Sequence, residues 1–384
     1  MKEFLAIIDE FEETRDDKKT ALATVIEVRG STYRRPGARM LMTEGSHMVG
    51  SISGGCLEAD VFERAGQVMA SGDPVVVKYD TTSGDDIVWG LGLGCNGLVR
   101  VFIERLTQES KLNSITFLAE CFRRRQMGVL ATVVSVEGQV QEKVGTRLML
   151  SQDGNAISHI ENSELSASIL NDAQEALRNS LSTLKLYQLP TGNAEVFIEV
   201  IQPPVPLVIF GAGHDAIPVA RFASELGWHV TVVDSRQSYA TKDRFSLTDA
   251  VVLSRPESIL EHVLVDHRTV AVVMTHNYLY DREILRTLLP FPLRYLGLLG
   301  PKSRTERLLQ ELQEEGITPT PEQLHRLYGP IGLDIGADTP DEIALAIVAE
   351  IQAVIANRSG GLLRDRRGPI HNREETNDRI IRNS

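Results

Sequence analysis

Apolar positions along this chain fall first at helical spacing, then in strand alternation, then in alternating strand and helix periods. In residues 2–13, Phe4, Ile7, Ile8 and Phe11 recur among acids, which predicts an amphipathic surface helix. Residues 21–42 (ALATVIEVRGSTYRRPGARMLM) read as a β-branched strand, a glycine turn, a polar loop and a second strand. The pattern returns at 129–150 (VLATVVSVEGQVQEKVGTRLML), aligned without gaps at an offset of 108, with Gly30/Gly138, Gly37/Gly145 and Arg39/Arg147 among the identities. Each copy enters a helix (57–71 and 165–180) and closes on a strand, Val101-Phe102-Ile103-Glu104 matched by Val196-Phe197-Ile198-Glu199. The expectation is an α+β region, 1–200, of two tandem repeat units, about 1–108 and 109–200, packed about a pseudo-twofold axis.

Past a Pro-rich linker, 201–206, strands and helices alternate, which predicts a Rossmann-like, doubly wound parallel sheet over 207–356. Leu207–Phe210 is an apolar strand and the turn Gly211-Ala212-Gly213-His214-Asp215-Ala216 follows at once. A helix over 216–226 leads to the strand His229–Val233, which ends on Asp234. Gly211 permits the turn, Gly213 lets a phosphate approach, and Ala216 allows close helix packing; Asp234 is placed to accept a ribose diol. Further strands are expected at 250–253, 269–274 and 294–299. Their carboxyl ends put His276 at the crevice, either as a site residue or as a cap of the next helix. His214 lies in the phosphate turn, as a donor or merely facing solvent. Thr339, Pro340 and Glu342 form a capping box for a last helix; the glycines and acids before them, Asp334 among them, are expected to meet the crevice. The tail 357–384 is charged and expected to be disordered beyond His371.

At 384 residues the chain is long enough for two or three domains, and 42% hydrophobic with 24% charged residues is a globular balance. No apolar run nears the roughly 18 residues of a membrane span, and the acidic start is unlike a secretory leader, so a cytoplasmic protein is expected. A formal charge of −12 argues against nucleic acid as the main partner. Three cysteines, Cys56, Cys95 and Cys121, make neither a disulfide framework nor a zinc spacing, so no metal site is predicted.

The two copies diverge where chemistry would lie. The first carries Ser53-Gly54-Gly55-Cys56-Leu57-Glu58; the second has Glu161-Asn162-Ser163-Glu164-Leu165-Ser166. Glycines before a helix can point free amides at a ligand, and a thiol there feels the positive end of the helix dipole, which favours thiolate. Glu58 suits the same first turn. The plainer reading makes Cys56 a small buried hydrophobe behind a tight turn; its loss, with both glycines, from the second copy favours function. The first copy also holds the insertion GDDIVWGLGLGCNG, with Trp89 and Cys95, a ligand lid or a plain surface loop. Cys121 reads as core filler. Arg34, Arg35 and Arg39 offer donors to an anion, and Arg39, matched by Arg147, has a structural role as its alternative reading.

Together GSTYRRPGARM, SGGCLE, GLGLGCNG, GAGHDA, MTHNYLYD, YLGLLGPKSR, GLDIGADTPDEIALAI and LRDRRGPIH resemble the XdhC/CoxI family, accessory proteins of xanthine dehydrogenase and related molybdenum hydroxylases. The resemblance implies a protein that binds molybdenum cofactor (molybdopterin, as mono- or dinucleotide), protects it, assists its sulfuration and passes it to an apo-hydroxylase. It makes Cys56 the candidate cofactor contact, implies a cofactor-sulfurating cysteine desulfurase as a further partner, and leaves the role of the second copy open. A homodimer is the base-rate expectation. Two other readings stay open: an NAD(P)-dependent oxidoreductase with a reactive Cys56, and a non-catalytic nucleotide-binding regulator.

Overall fold

The computed structural model describes residues 2–14, 18–30, 33–45, 47–80, 97–107, 113–367 and 370. Residues 81–96, which include Trp89 and Cys95, and the tail past 370 lie outside the described residues. Two compact units divide the chain, one of Glu3–Pro203 and one beginning at Pro204.

In the front unit α1 (Lys2–Glu13) leads into β1 (Thr20–Gly30), β2 (Arg39–Thr43), β3 (His47–Gly50), α2 (Glu58–Ser71), β4 (Val75–Asp80) and β5 (Gly97–Leu106). The series then repeats as α3 (Ser114–Arg124), β6 (Gly128–Gly138), β7 (Arg147–Ser151), β8 (Ala156–Ser158), α4 (Ser163–Asn179), β9 (Thr183–Leu189) and β10 (Gly192–Ile201). One sheet has the order β3-β2-β1-β5-β4 and the other β8-β7-β6-β10-β9, with antiparallel neighbours throughout. Register repeats too: Leu22 lies opposite Leu41 in the first sheet, and Leu130 opposite Met149 in the second.

β1 and β6 are almost continuously apolar because both of their faces are covered. Ala21, Ala23 and Val25 pack under Val61 and Ala65 of α2, and Val129, Ala131 and Val133 under Ile169 and Ala173 of α4. On the opposite faces a register shift marks Ile26 in β1 and Val134 in β6, and these two join Phe102 and Phe197 in one cluster shared by both sheets. Two buried ion pairs accompany that cluster. Arg39 of β2 donates to both carboxylate oxygens of Glu199 in β10, with 2.7 Å from Nη1 to Oε1. Arg147 of β7 donates to Glu104 in β5. Each arginine also donates to a glycine carbonyl two positions before it, Gly37 at 2.9 Å and Gly145 at 3.2 Å. Both glycines hold φ +92°, a backbone that favours glycine. The two copies exchange the same contact, which is the signature of a twofold relation. Cys121 is buried in α3, and burial together with the Glu120 charge pushes its thiol up to about 12, as befits core filler.

The back unit runs β11 (Pro206–Phe210), α5 (Ala216–Glu225), β12 (His229–Asp234), β13 (Ala250–Leu253), α6 (Ile259–His262), β14 (Val270–Val273), α7 (Tyr278–Leu288), β15 (Tyr295–Leu298), α8 (Lys302–Glu314), α9 (Pro321–His325), β16 (Leu327–Tyr328) and α10 (Pro340–Ile355). All six strands are parallel, in the order β13-β12-β11-β14-β15-β16. α5 and α10 cover one face, setting Ala216, Val219, Ala344 and Ile347 on Leu207, Ile209 and Val230. α7 and α8 cover the other, setting Ile284, Leu285, Leu288 and Leu308 on Phe210, Val273 and Leu296. The capping box of Thr339 and Glu342 opens α10 as its spacing predicts. α9 and the two-residue β16 are too short to show a period and were not foreseen. Among the described residues no helix is long and apolar enough to cross a membrane.

Candidate functional site

Around Cys56 the structure corrects one expectation. The amides before α2 are not free, because Ser53 Oγ accepts from the amides of Gly55, Cys56 and Leu57, each at 3.1 Å. Ser53 in turn donates its hydroxyl to Glu58, and its amide reaches Glu58 Oε1 at 2.9 Å. Burial opposes ionisation of Glu58, but the hydrogen bonds from Ser53 and from the amides of Glu58 and Leu57 outweigh it and hold the carboxyl below its usual range. Glu58 therefore organises the turn. Cys56 is half-buried against the core under α2, while among the described residues no atom lies within 4 Å of where a Gly55 Cβ (φ +103°) would stand. Gly54 lies against the exposed ring of Tyr33, 3.6 Å from where a Cβ would stand. Arg34 is engaged by Glu3.

The second copy shows what this turn replaces. There Asn162 caps α4 by accepting from the Leu165 amide at 2.9 Å, and buried Glu142 accepts from the Asn162 amide at 2.8 Å. Ser163, the first residue of α4, aligns with Gly55, so α2 starts three residues later than its twin. Those three residues, Gly55, Cys56 and Leu57, form a bend that presents the thiol in one copy only.

At the carboxyl ends of β11, β12 and β14 lies a cavity of about 270 Å³, where the strand order reverses. Gly211, Asp234, Arg236, Thr275, His276 and Tyr280 are among its walls. Gly211 (φ +115°) passes so close to β14 that a Cβ would lie 2.4 Å from the Met274 carbonyl oxygen. Ala216 is fully buried, which fits close helix packing. Asp234 is buried, and its carboxylate is not free: Arg236 and the Ala212 amide hold both oxygens. Burial raises its proton affinity, yet those hydrogen bonds and the Arg236 charge bring the carboxyl below its usual range.

His276 is not the cap of α7; Asn277 is, accepting from the Leu279 and Tyr280 amides. His276 instead adopts a left-handed backbone, φ +59°, and its Nε2 meets Asp215 Oδ2 at 2.7 Å. Asp281, buried below it, is fixed by Thr275 Oγ1 at 2.5 Å and Arg304 Nη2 at 2.6 Å. His214 and Asp334 are exposed and are not among the cavity walls. Ser53, Asp215 and Arg236 were missed by sequence reasoning. Ser53 and Asp215 stand inside the SGGCLE and GAGHDA motifs, and the signal at Arg236 is a cation two places past the acid that ends the second strand.

A Gly-rich first turn on a parallel sheet of this order defines a Rossmann-type protein, here preceded by a duplicated α+β unit. The chain belongs to the XdhC and CoxI family: the family model matches residues 14–80 and 121–188, and the XdhC Rossmann domain model matches 207–351. The match at 121–188 takes in the second copy as well as the first. Among relatives, the chain is 36% identical over 340 residues to a probable xanthine dehydrogenase subunit of Bacillus subtilis, covering 88% of this chain and 93% of that one. It is 23% identical over 339 residues to "Molybdenum cofactor insertion chaperone PaoD" of Escherichia coli, covering 88% and 84%. A crystal structure described as a xanthine dehydrogenase from Bacillus halodurans superposes with a TM-score of 0.75 at 31% identity, covering 93% of this chain and 96% of that one.

Proposed function

We propose that this protein is an accessory factor of a xanthine dehydrogenase-type molybdenum hydroxylase, binding molybdenum cofactor and handing it to the apo-enzyme. The reading rests on family membership through both units together with relatives named for xanthine dehydrogenase and for molybdenum cofactor insertion. What carries it within the molecule is the one-sided Cys56 turn: two copies share strand order and register, and only the first displaces a helix start to present a thiol. A half-buried thiol beside an exposed glycine suits a soft metal that brings its own dithiolene ligands. Since Ser53 has taken the neighbouring amides, the phosphate of a pterin must be met elsewhere. In this reading sulfuration of the cofactor, with a cysteine desulfurase as partner, happens while the cargo is held.

Mass spectrometry of the ligand released from anaerobically purified protein tests the proposal. A pterin is expected from the wild type and little or none from Cys56→Ala. A nicotinamide dinucleotide as the main ligand, or wild-type pterin content in Cys56→Ala, defeats the cofactor assignment or the role of the thiol respectively.

A further inference from the structure

At the carboxyl ends of the back-unit strands are two places that a ribonucleotide needs, one at Asp234 in the cavity wall and one at Gly213 beside the wall residue His276, and the protein's own side chains fill both. An ionised carboxylate has about four acceptor positions. Asp234 already receives four donors: the Arg236 amide and Nε on Oδ1 at 2.8 and 2.9 Å, and the Ala212 amide and Arg236 Nη2 on Oδ2, both at 2.7 Å. Two of these come side by side from one guanidinium, much as a ribose 2′,3′-diol offers two hydroxyls. No acceptor position is left for a diol while Arg236 stays. In this fold the missing Cβ of the second glycine is where a diphosphate approaches the backbone. Here Asp215 Oδ1 fills that space, 2.5 Å from where a Gly213 Cβ would stand. His276 holds the same carboxylate from a left-handed backbone that a residue with a Cβ adopts only at a cost. Between the two ion pairs the cavity stays open, with Ile259, Ile284 and Tyr280 on its walls.

We propose that this cavity takes a ribonucleoside diphosphate group whose two recognition positions are held beforehand by the protein's own ion pairs, Arg236 standing in the place of the diol and Asp215 in that of the diphosphate. Binding exchanges both. Arg236, already 3.9 Å from the centroid of the Tyr239 ring, swings off Asp234, and Asp215 withdraws so that His276 meets the phosphates in its place. Two kinds of ligand carry this group, the dinucleotide form of a pterin cofactor and a nicotinamide dinucleotide, and their bases tell them apart.

The test is calorimetric titration of the full-length chain with CDP, GDP and ADP, each beside its 2′-deoxy counterpart. At least one ribonucleotide is expected to bind the wild type or the Arg236→Leu/Asp215→Asn double variant, with its deoxy form at least tenfold weaker. Asp234→Asn should bring that ratio close to one. Arg236→Leu, at a side chain 45% exposed, should tighten the ribonucleotide threefold or more. Preference for CDP or GDP supports the site as one for a pterin dinucleotide, and preference for ADP supports it as one for a nicotinamide dinucleotide. Equal binding of ribo and deoxy forms, weaker binding by Arg236→Leu, or no binding by wild type and double variant alike overturns the proposal. Because bare nucleotides carry no pterin, such a failure leaves the reading of Cys56 untouched.

Discussion

Arg39 and Glu199 stand 160 positions apart and close a bidentate ion pair with only 1% of the arginine side chain exposed. Removing one member of a buried pair strands the other charge, at a cost of about 3–5 kcal/mol. Arg39 has little means of relief, since its Nε already lacks a partner among the described residues. Glu199→Ala is therefore expected to destabilise the front unit by about that amount in urea unfolding. The double change Arg39→Met with Glu199→Leu should recover most of the loss, because apolar replacement of such pairs is often neutral or better. A single-variant loss under about 1 kcal/mol would mean the pair is solvated like a surface bridge.

Asp234 gives a pH dependence of definite sign. Its folded pKa lies below the unfolded value of about 3.9, so it stabilises the fold above that value and the contribution is lost as pH falls through the folded pKa. The back unit of the wild type should lose stability below about pH 4 more steeply than that of Asp234→Asn. Emission of buried Trp228 in a Trp89→Phe background reads that unit. Parallel curves for the two proteins would remove Asp234 as the titrating group.

At Gly211 an alanine meets both a backbone conformation it resists and the Met274 carbonyl oxygen at 2.4 Å. Backbone strain alone should cost roughly 1–3 kcal/mol, and β11 or β14 must also shift. Gly211→Ala is expected to lower the unfolding midpoint of the Trp228 transition by more than Gly316→Ala, a glycine of positive φ whose added Cβ meets nothing. Equal effects would leave backbone strain as the whole cause.

Ser53 holds the turn that carries Cys56. Without its hydroxyl, the amides of Gly55, Cys56 and Leu57 lose their shared acceptor. Ser53→Ala should raise the alkylation rate of Cys56 severalfold, while Ser53→Thr keeps it near wild type. Peptide mass spectrometry follows this, with buried Cys121 as the slow internal reference. An unchanged Cys56 rate in Ser53→Ala would show that the turn is held by other contacts.

The doubly wound class was legible because Gly211, Gly213 and Ala216 sit between a strand and a helix at fixed spacing, with an acid ending the next strand. The repeat was legible because burial on both faces keeps β1 and β6 apolar in step. Arg39 and Arg147 were visible as matched, as were Glu104 and Glu199, but their crossed pairing was not, since alignment compares copies and says nothing of which residues touch. The same limit applies to the site. Spacing marks Asp234 and Gly213 as places for a ligand; it cannot tell that the side chains of Arg236 and Asp215, two positions further on in each case, take those places first. Ser53 went unnoticed because a serine collecting three amides leaves no period.

The crossed contact of Arg39 with Glu199 and Arg147 with Glu104 makes each half depend on the other, since each buried arginine takes its carboxylate from the opposite half. The front unit is thus arranged as a dimer of like halves within one chain. One half can keep the shared interface while the other alters its helix start around a thiol, a division of labour that two identical chains cannot make.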